Sequence, residues 1–146
     1  MSKIKVLFLC VHNSARSQIA AAYLKKFGGD QFEVDSAGLE PGTLNPLAIE
    51  VMKQDRIDIS ENPTNNVFNY FKEGKWFDYV ITVCDKSASD RCPIFPGMKE
   101  KVNWSFEDPS QFTGTREEKL QQTRIVRDKI KIAVHQFIKD TAIRHI

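Results

Sequence analysis

Ile4 to Leu9 is an almost unbroken run of β-branched and aliphatic residues that stops at Cys10. From Ser17 the apolar residues change period: Ile19, Ala20, Tyr23, Leu24 and Phe27 share one helical face, which Gly28 and Gly29 terminate. A short continuous apolar run suits a strand buried on both faces, so the chain opens as strand, short loop, helix. The alternation continues. Phe32 to Ala37 reads as a second strand closed by Gly38, and Asn45-Pro46 supplies an N-cap and first-turn proline for a helix to about Asp55. Val67 to Lys72 reads as a short helix ended by Gly74, and Phe77 to Val83 as a third strand with Cys84 at its carboxyl end. Lys86 to Arg91 could form a turn or two of helix, Pro93, Pro96 and Gly97 mark a loop, and Lys101 to Trp104 is the fourth strand. From Glu117 to Thr141, Leu120, Val126, Ile130, Ala133, Val134 and Phe137 recur at helical spacing, which makes a docking helix.

Strands alternating with helices predict an α/β fold, a four-stranded parallel sheet flanked by helices on both faces, because right-handed crossovers put the helices there. Ligands of such sheets sit at the carboxyl ends of the strands, so Cys10, Ser36 and Cys84 are expected to converge. At 146 residues one domain is expected over 1–146. A net charge of +2, with basic residues interleaved among acids, gives no nucleic-acid footprint. The apolar stretch Val6 to Val11 is too short for a bilayer span and no cleavage site follows it, so the expected location is the cytoplasm, without membrane association. Three cysteines are an odd number in a chain that does not need staples, so they are expected to be reduced thiols.

Between strand and helix lies Cys10-Val11-His12-Asn13-Ser14-Ala15-Arg16-Ser17-Gln18. A loop entering a helix points unpaired N–H groups inward and the helix dipole adds positive charge, so Val11 to Ser17 form a natural cradle for a tetrahedral oxyanion. The planar guanidinium of Arg16 matches two oxygens of such an anion. Cysteines at helix N-termini near cations have pKa values lowered to roughly 3.5–7.5, which would ready Cys10 as a nucleophile. Ser14 and Ser17 can donate hydroxyl hydrogen bonds to thiolate or anion. Asn13 tolerates the left-handed backbone that a tight loop demands, and His12 either supports the thiolate or turns to solvent. No Gly-Lys-Ser/Thr run and no glycine triplet is present, so no nucleotide cofactor is implied. Zinc is not expected either, since Cys84 and Cys92 have no nearby histidine or third thiol.

The Cys10 loop, Asp35-Ser36-Ala37-Gly38, the segment from Cys84 to Cys92 and Asp108-Pro109 together resemble the arsenate reductases built on the low-molecular-weight tyrosine phosphatase fold. The resemblance implies that Cys10 attacks arsenate, Arg16 holds its oxygens and Asp108 acts as general acid. It also implies a relay in which Cys84 forms a disulfide with Cys10, Cys92 then attacks Cys84, and thioredoxin, or else glutaredoxin or glutathione, restores the thiols. Asp85 to Arg91 put one residue more between Cys84 and Cys92 than the relay members carry. Some relatives hold potassium through an acid one turn into the helix, where this chain has Ala21. Two other readings stay open. A tyrosine phosphatase would share Cys10, Arg16 and Asp108, but Asp108-Pro109 is followed by Ser110 and Gln111, with only Phe112 aromatic, and Gln18 stands where the phosphatases usually have proline. A non-catalytic oxyanion-binding or redox-sensing domain would need the cradle but not Asp108.

Overall fold

The computed structural model describes residues 3–84 and 90–144. Among these residues run strands β1 (Ile4–Cys10), β2 (Phe32–Gly38), β3 (Tyr79–Thr82) and β4 (Glu100–Asn103). They are joined by helices α1 (Arg16–Gly28), α2 (Pro46–Gln54), α3 (Val67–Lys72) and α4 (Arg116–Arg144). The strands form a parallel sheet in the order β2-β1-β3-β4. The expected α/β architecture is therefore the one found. Its central strand is the one with the longest apolar run: Val6, Leu7, Phe8 and Leu9 are wholly buried, as a strand covered on both faces and flanked on both edges requires. The edge strand β4 instead alternates exposed and half-buried residues.

Phe137 of α4 organises one side of the sheet, with the rings of Phe32, Tyr79 and Trp104 at centroid distances of 6.0, 5.4 and 6.0 Å. Ile130 and Val134 of the same helix are wholly buried. A second aromatic group joins α3 to the rest of the core. Phe95 meets Phe77 edge-on at 5.1 Å and Phe71 at 5.9 Å, while Tyr70 lies 6.4 Å from Phe77. Three helices are tied by one carboxylate: Asp55 accepts from the Tyr23 hydroxyl at 2.6 Å and from Lys131 Nζ at 3.1 Å. The Tyr23 hydrogen bond holds Asp55 below its ordinary pKa, and burial pushes the Tyr23 hydroxyl above its own.

Several boundaries move for tertiary reasons. β1 reaches Cys10 because Cys10 pairs with Gly38, and Leu39 N–H donates to Cys10 O at 3.2 Å. β3 omits Phe77, Asp78 and Val83, and the Asp78 carboxylate accepts the Lys5 N–H at 2.9 Å. α3 spans the residues expected, while β4 and α4 begin one residue earlier than expected. Of the helix expected over Lys86 to Arg91, residues 86–89 lie outside the described ones, and Asp90 and Arg91 form a turn. No helix among the described residues is long and apolar enough to cross a membrane.

Candidate active site

The loop after β1 is shaped by the segment that follows β2. Leu39, Glu40, Gly42 and Asn45 donate their N–H groups to the carbonyls of Cys10, Val11, His12 and Ser14 at 3.2, 2.7, 3.0 and 2.8 Å. These bonds occupy the loop's carbonyls on one side, while the Asn13 N–H points to the Cys10 sulfur. This packing needs Gly38: a Cβ there would lie 2.7 Å from Val11 O and 2.8 Å from Asn13 N. The residue before α1 is Ala15, which supplies no side-chain cap, so the first-turn N–H groups keep their anion-binding capacity.

Cys10 is 2% exposed, and two polar groups meet its sulfur. Asn13 N–H lies 3.1 Å from Sγ and Ser17 Oγ lies 2.9 Å from it. Asn13 has φ 54°, the left-handed conformation expected of it. Its side chain is wholly buried and turned into the protein, not toward the cradle. His12 is exposed, with Nδ1 2.8 Å from Glu40 O, so it forms the outer face of the loop. Arg16 is buried and oriented at both ends of its fork: Nη1 donates to Phe106 O at 3.2 Å, and Nη2 lies 3.5 Å from Asp108 Oδ2. The other carboxylate oxygen of Asp108 accepts from Ser110 N–H and Ser110 Oγ, both at 2.9 Å, and caps a short 3-10 turn, Pro109–Gln111. The site thus gathers residues more than ninety positions apart in the chain.

A cavity of about 510 Å³ is lined by Val11, Arg16, Cys84, Ser105, Phe106, Glu107, Asp108 and Gln111. Cys84, 1% exposed, joins the guanidinium and the carboxylate because Leu9 pairs with Thr82 and Val83 N–H donates to Leu9 O at 2.8 Å. That register puts the residues after β1 and β3 side by side. Cys92 is half-buried, and its Sγ lies 3.3 Å from Pro93 O. Burial pushes its thiol up to about 11, with Cys84 adding and Lys101 opposing. All three cysteines are thiols here, not disulfides. Alkylation of Cys92 in the reduced protein, followed by peptide mapping, is expected to rise about tenfold per pH unit toward pH 11. A plateau near the ordinary thiol value would show that Cys92 leaves its buried position readily.

Ser36 does not join this site. It lines a separate cavity of about 590 Å³ beyond the loop, with Gln18, Lys25, Asn62, Asn65 and others. The reason is register: Gly38, not Ser36, pairs with Cys10. Phe112 likewise lines a different depression, with Pro46 and Arg116. Ala21, where the resemblance implies an acid in some members, lines the same cavity as Ser36, and Asn65 donates to Ser36 O and to Asn13 Oδ1. Among the described residues no cluster of histidine, cysteine and carboxylate side chains could hold a metal. Sequence reasoning did not find the Phe106 carbonyl on Arg16, nor the ties from Gln18, Asn62 and Asn65 to the loop. Residues 62–65 carry no periodic pattern or motif that would tie them to the loop.

A parallel α/β sheet with a cysteine and arginine loop at its carboxyl edge defines an enzyme class. Residues 5–144 match the low molecular weight phosphotyrosine protein phosphatase family, and the chain belongs to that family. Within it, the chain is 42% identical over 137 residues to an arsenate reductase of Halalkalibacterium halodurans, covering 94% of this chain and 96% of that one. It also superposes on a solved arsenate reductase in the phosphate binding state with a TM-score of 0.76 at 30% identity, over 94% of this chain and 98% of the other. A thioredoxin-dependent arsenate reductase of Corynebacterium glutamicum aligns with a TM-score of 0.62 at 28% identity, over 92% of this chain and 63% of that one.

Proposed function

We propose that this chain is a cytoplasmic arsenate reductase that uses Cys10, Arg16, Asp108, Cys84 and Cys92 in turn. The Cys10 thiolate attacks arsenic, the loop amides of Val11 to Ser17 and the Arg16 guanidinium hold the oxygens, and an arsenic–oxygen bond breaks as Asp108 gives the leaving oxygen its proton. Cys84 then attacks Cys10 Sγ. The sulfur–arsenic electron pair goes to arsenic, As(V) becomes As(III), arsenite leaves and a Cys10–Cys84 disulfide remains. Cys92 attacks Cys84, freeing Cys10 and forming a Cys84–Cys92 disulfide, which a dithiol donor such as thioredoxin reduces. Cys92 has the raised thiol, so its attack requires that it first leave its buried position.

The observation that carries this reading is that Cys84 lines the same cavity as Arg16 and Asp108. A phosphatase needs only water there, whereas a reductase needs a second thiol beside the first. The cavity wall favours the same choice. Among the described residues Phe106 is the one aromatic that lines it, and Phe112, the aromatic that follows Asp108-Pro109, lines a different depression, so no pair of described rings sandwiches an aryl group. Slow hydrolysis of aryl phosphates is still expected, since phosphate and arsenate share shape and charge. Arsenate-dependent oxidation of NADPH, coupled through thioredoxin and thioredoxin reductase, tests the proposal. Hydrolysis of an aryl phosphate far exceeding arsenate turnover would overturn it. In that assay Asp108→Asn is expected to lose about 10²–10⁴-fold in turnover, the usual worth of a positioned acid. An unchanged rate would remove the general-acid role from Asp108.

A further inference from the structure

The orientation of the donors on Cys10 is set by residues that never touch the sulfur. Asn13 is wholly buried. Its Oδ1 accepts the Asn65 N–H at 2.9 Å and Gln18 Nε2 at 3.3 Å, and its carbonyl accepts Gln18 Nε2 at 3.1 Å. With Oδ1 engaged by donors, the Asn13 amide turns its Nδ2 to Ser17 Oγ at 2.7 Å. A serine hydroxyl has one proton. Ser17 Oγ accepts from Asn13, which leaves its proton for Cys10 Sγ, 2.9 Å away, whenever that sulfur is a thiolate and can only accept. Gln18 is itself 2% exposed and locked from the far side. Its Nε2 donates to Pro63 O at 3.0 Å and its Oε1 accepts from Asn62 Nδ2 at 3.1 Å. Asn65 is anchored in turn, with Nδ2 on Ser36 O at 3.0 Å and its carbonyl accepting Gly38 N–H at 2.8 Å.

We propose that Gln18, held by the 62–65 segment and assisted by Asn65, is a positioning residue that fixes the Asn13 amide and thereby the direction of the Asn13–Ser17–Cys10 hydrogen-bond chain. A reversed Asn13 amide would present an oxygen to Ser17, whose proton would then point away from the sulfur. Gln18 suits the task because one amide nitrogen reaches three carbonyl-type oxygens while its own oxygen is satisfied by Asn62. A methionine of similar length cannot donate, and a glutamate would set a carboxylate against those three acceptors.

The inference rests on the reading of Cys10 as the nucleophile, and the test separates the two. In a Cys84→Ser, Cys92→Ser background, which leaves Cys10 as the single thiol, iodoacetamide alkylation is measured across pH together with the melting temperature. Gln18→Met is expected to move the alkylation profile up by about one pH unit, so that the rate at low pH falls about tenfold. Asn13→Ala is expected to move it at least as far, and adding Gln18→Met to it to move it no further, because the glutamine acts through the asparagine. Asn65→Ala, which keeps the backbone donor but loses the anchor on Ser36, gives a smaller shift in the same direction and serves if Gln18→Met does not fold. A profile that stays in place in the Gln18 and Asn65 variants, whatever the melting temperature does, overturns the proposal. So does a Gln18→Met effect that adds in full to that of Asn13→Ala. If Cys10 in the unaltered loop reacts no faster at neutral pH than an unfolded-peptide thiol, the nucleophile itself is lost and the inference with it. If it reacts fast and Gln18→Met changes nothing, only the inference falls.

Discussion

Cys10→Ser is expected to abolish arsenate reduction and aryl phosphate hydrolysis together, by at least about 10⁴-fold, because both reactions begin with a bond from the Cys10 sulfur to the oxyanion. The substitution exchanges sulfur for oxygen at a site that is 2% exposed and surrounded by donors, so the fold and the loop should persist. The cradle is a property of the backbone, held by the 39–45 segment, and of Arg16, held by Phe106 O and Asp108. The variant should therefore still bind phosphate within about tenfold of the original affinity, measured by calorimetry, while both activities vanish. Serine fails because a hydroxyl is a far weaker acid and a far weaker nucleophile than a thiol. Retention of more than about one per cent of either activity would place the nucleophile elsewhere.

The second large effect separates chemistry from recycling. Cys92→Ser is expected to release about one arsenite per chain and then stop, with multiple turnover on a protein dithiol donor reduced at least about 100-fold. Cys84→Ser is expected to release none in a single turnover, since arsenic remains bonded to Cys10. The asymmetry follows from burial. Cys10 and Cys84 are 2% and 1% exposed, so a disulfide between them is shielded from a protein donor, whereas half-buried Cys92 is the thiol able to carry the oxidation outward. Mass mapping should find the Cys10–Cys84 disulfide trapped in the arrested Cys92→Ser protein. Continued cycling of that variant at the original rate, with either a protein dithiol or glutathione, would remove the third thiol from the relay.

Residues close together in sequence explain what was legible. The β1 run, the switch to a 3.6 period at α1, the Asn45-Pro46 start of α2 and the long apolar stripe of α4 each sit within one element, and periodicity reports such elements directly. The chemistry of the Cys10 loop was legible for the same reason: strand, cysteine, arginine and helix follow one another within a few residues. Asn13 in the left-handed conformation and Ser17 on the sulfur both follow from that local reading. Ser36 did not, because its strand runs on to Gly38, and the register with β1 sets Ser36 opposite Phe8, two residues short of the loop, where it lines the neighbouring cavity.

The sequence by itself determined the α/β alternation, the position of the loop and the residue types that an attack on an oxyanion requires, since backbone periodicity and side-chain chemistry are local properties. Only the tertiary structure decided which of those residues share a cavity, that Arg16 is braced by Phe106 and Asp108, that His12 faces outward, and that Gln18 and Asn65 hold Asn13. Most of those pairings are long-range: 28 residues separate His12 from Glu40, 45 separate Gln18 from Pro63 and 92 separate Arg16 from Asp108. They are fixed by strand register and by the requirement that buried amides find partners, and neither leaves a periodic trace in the chain.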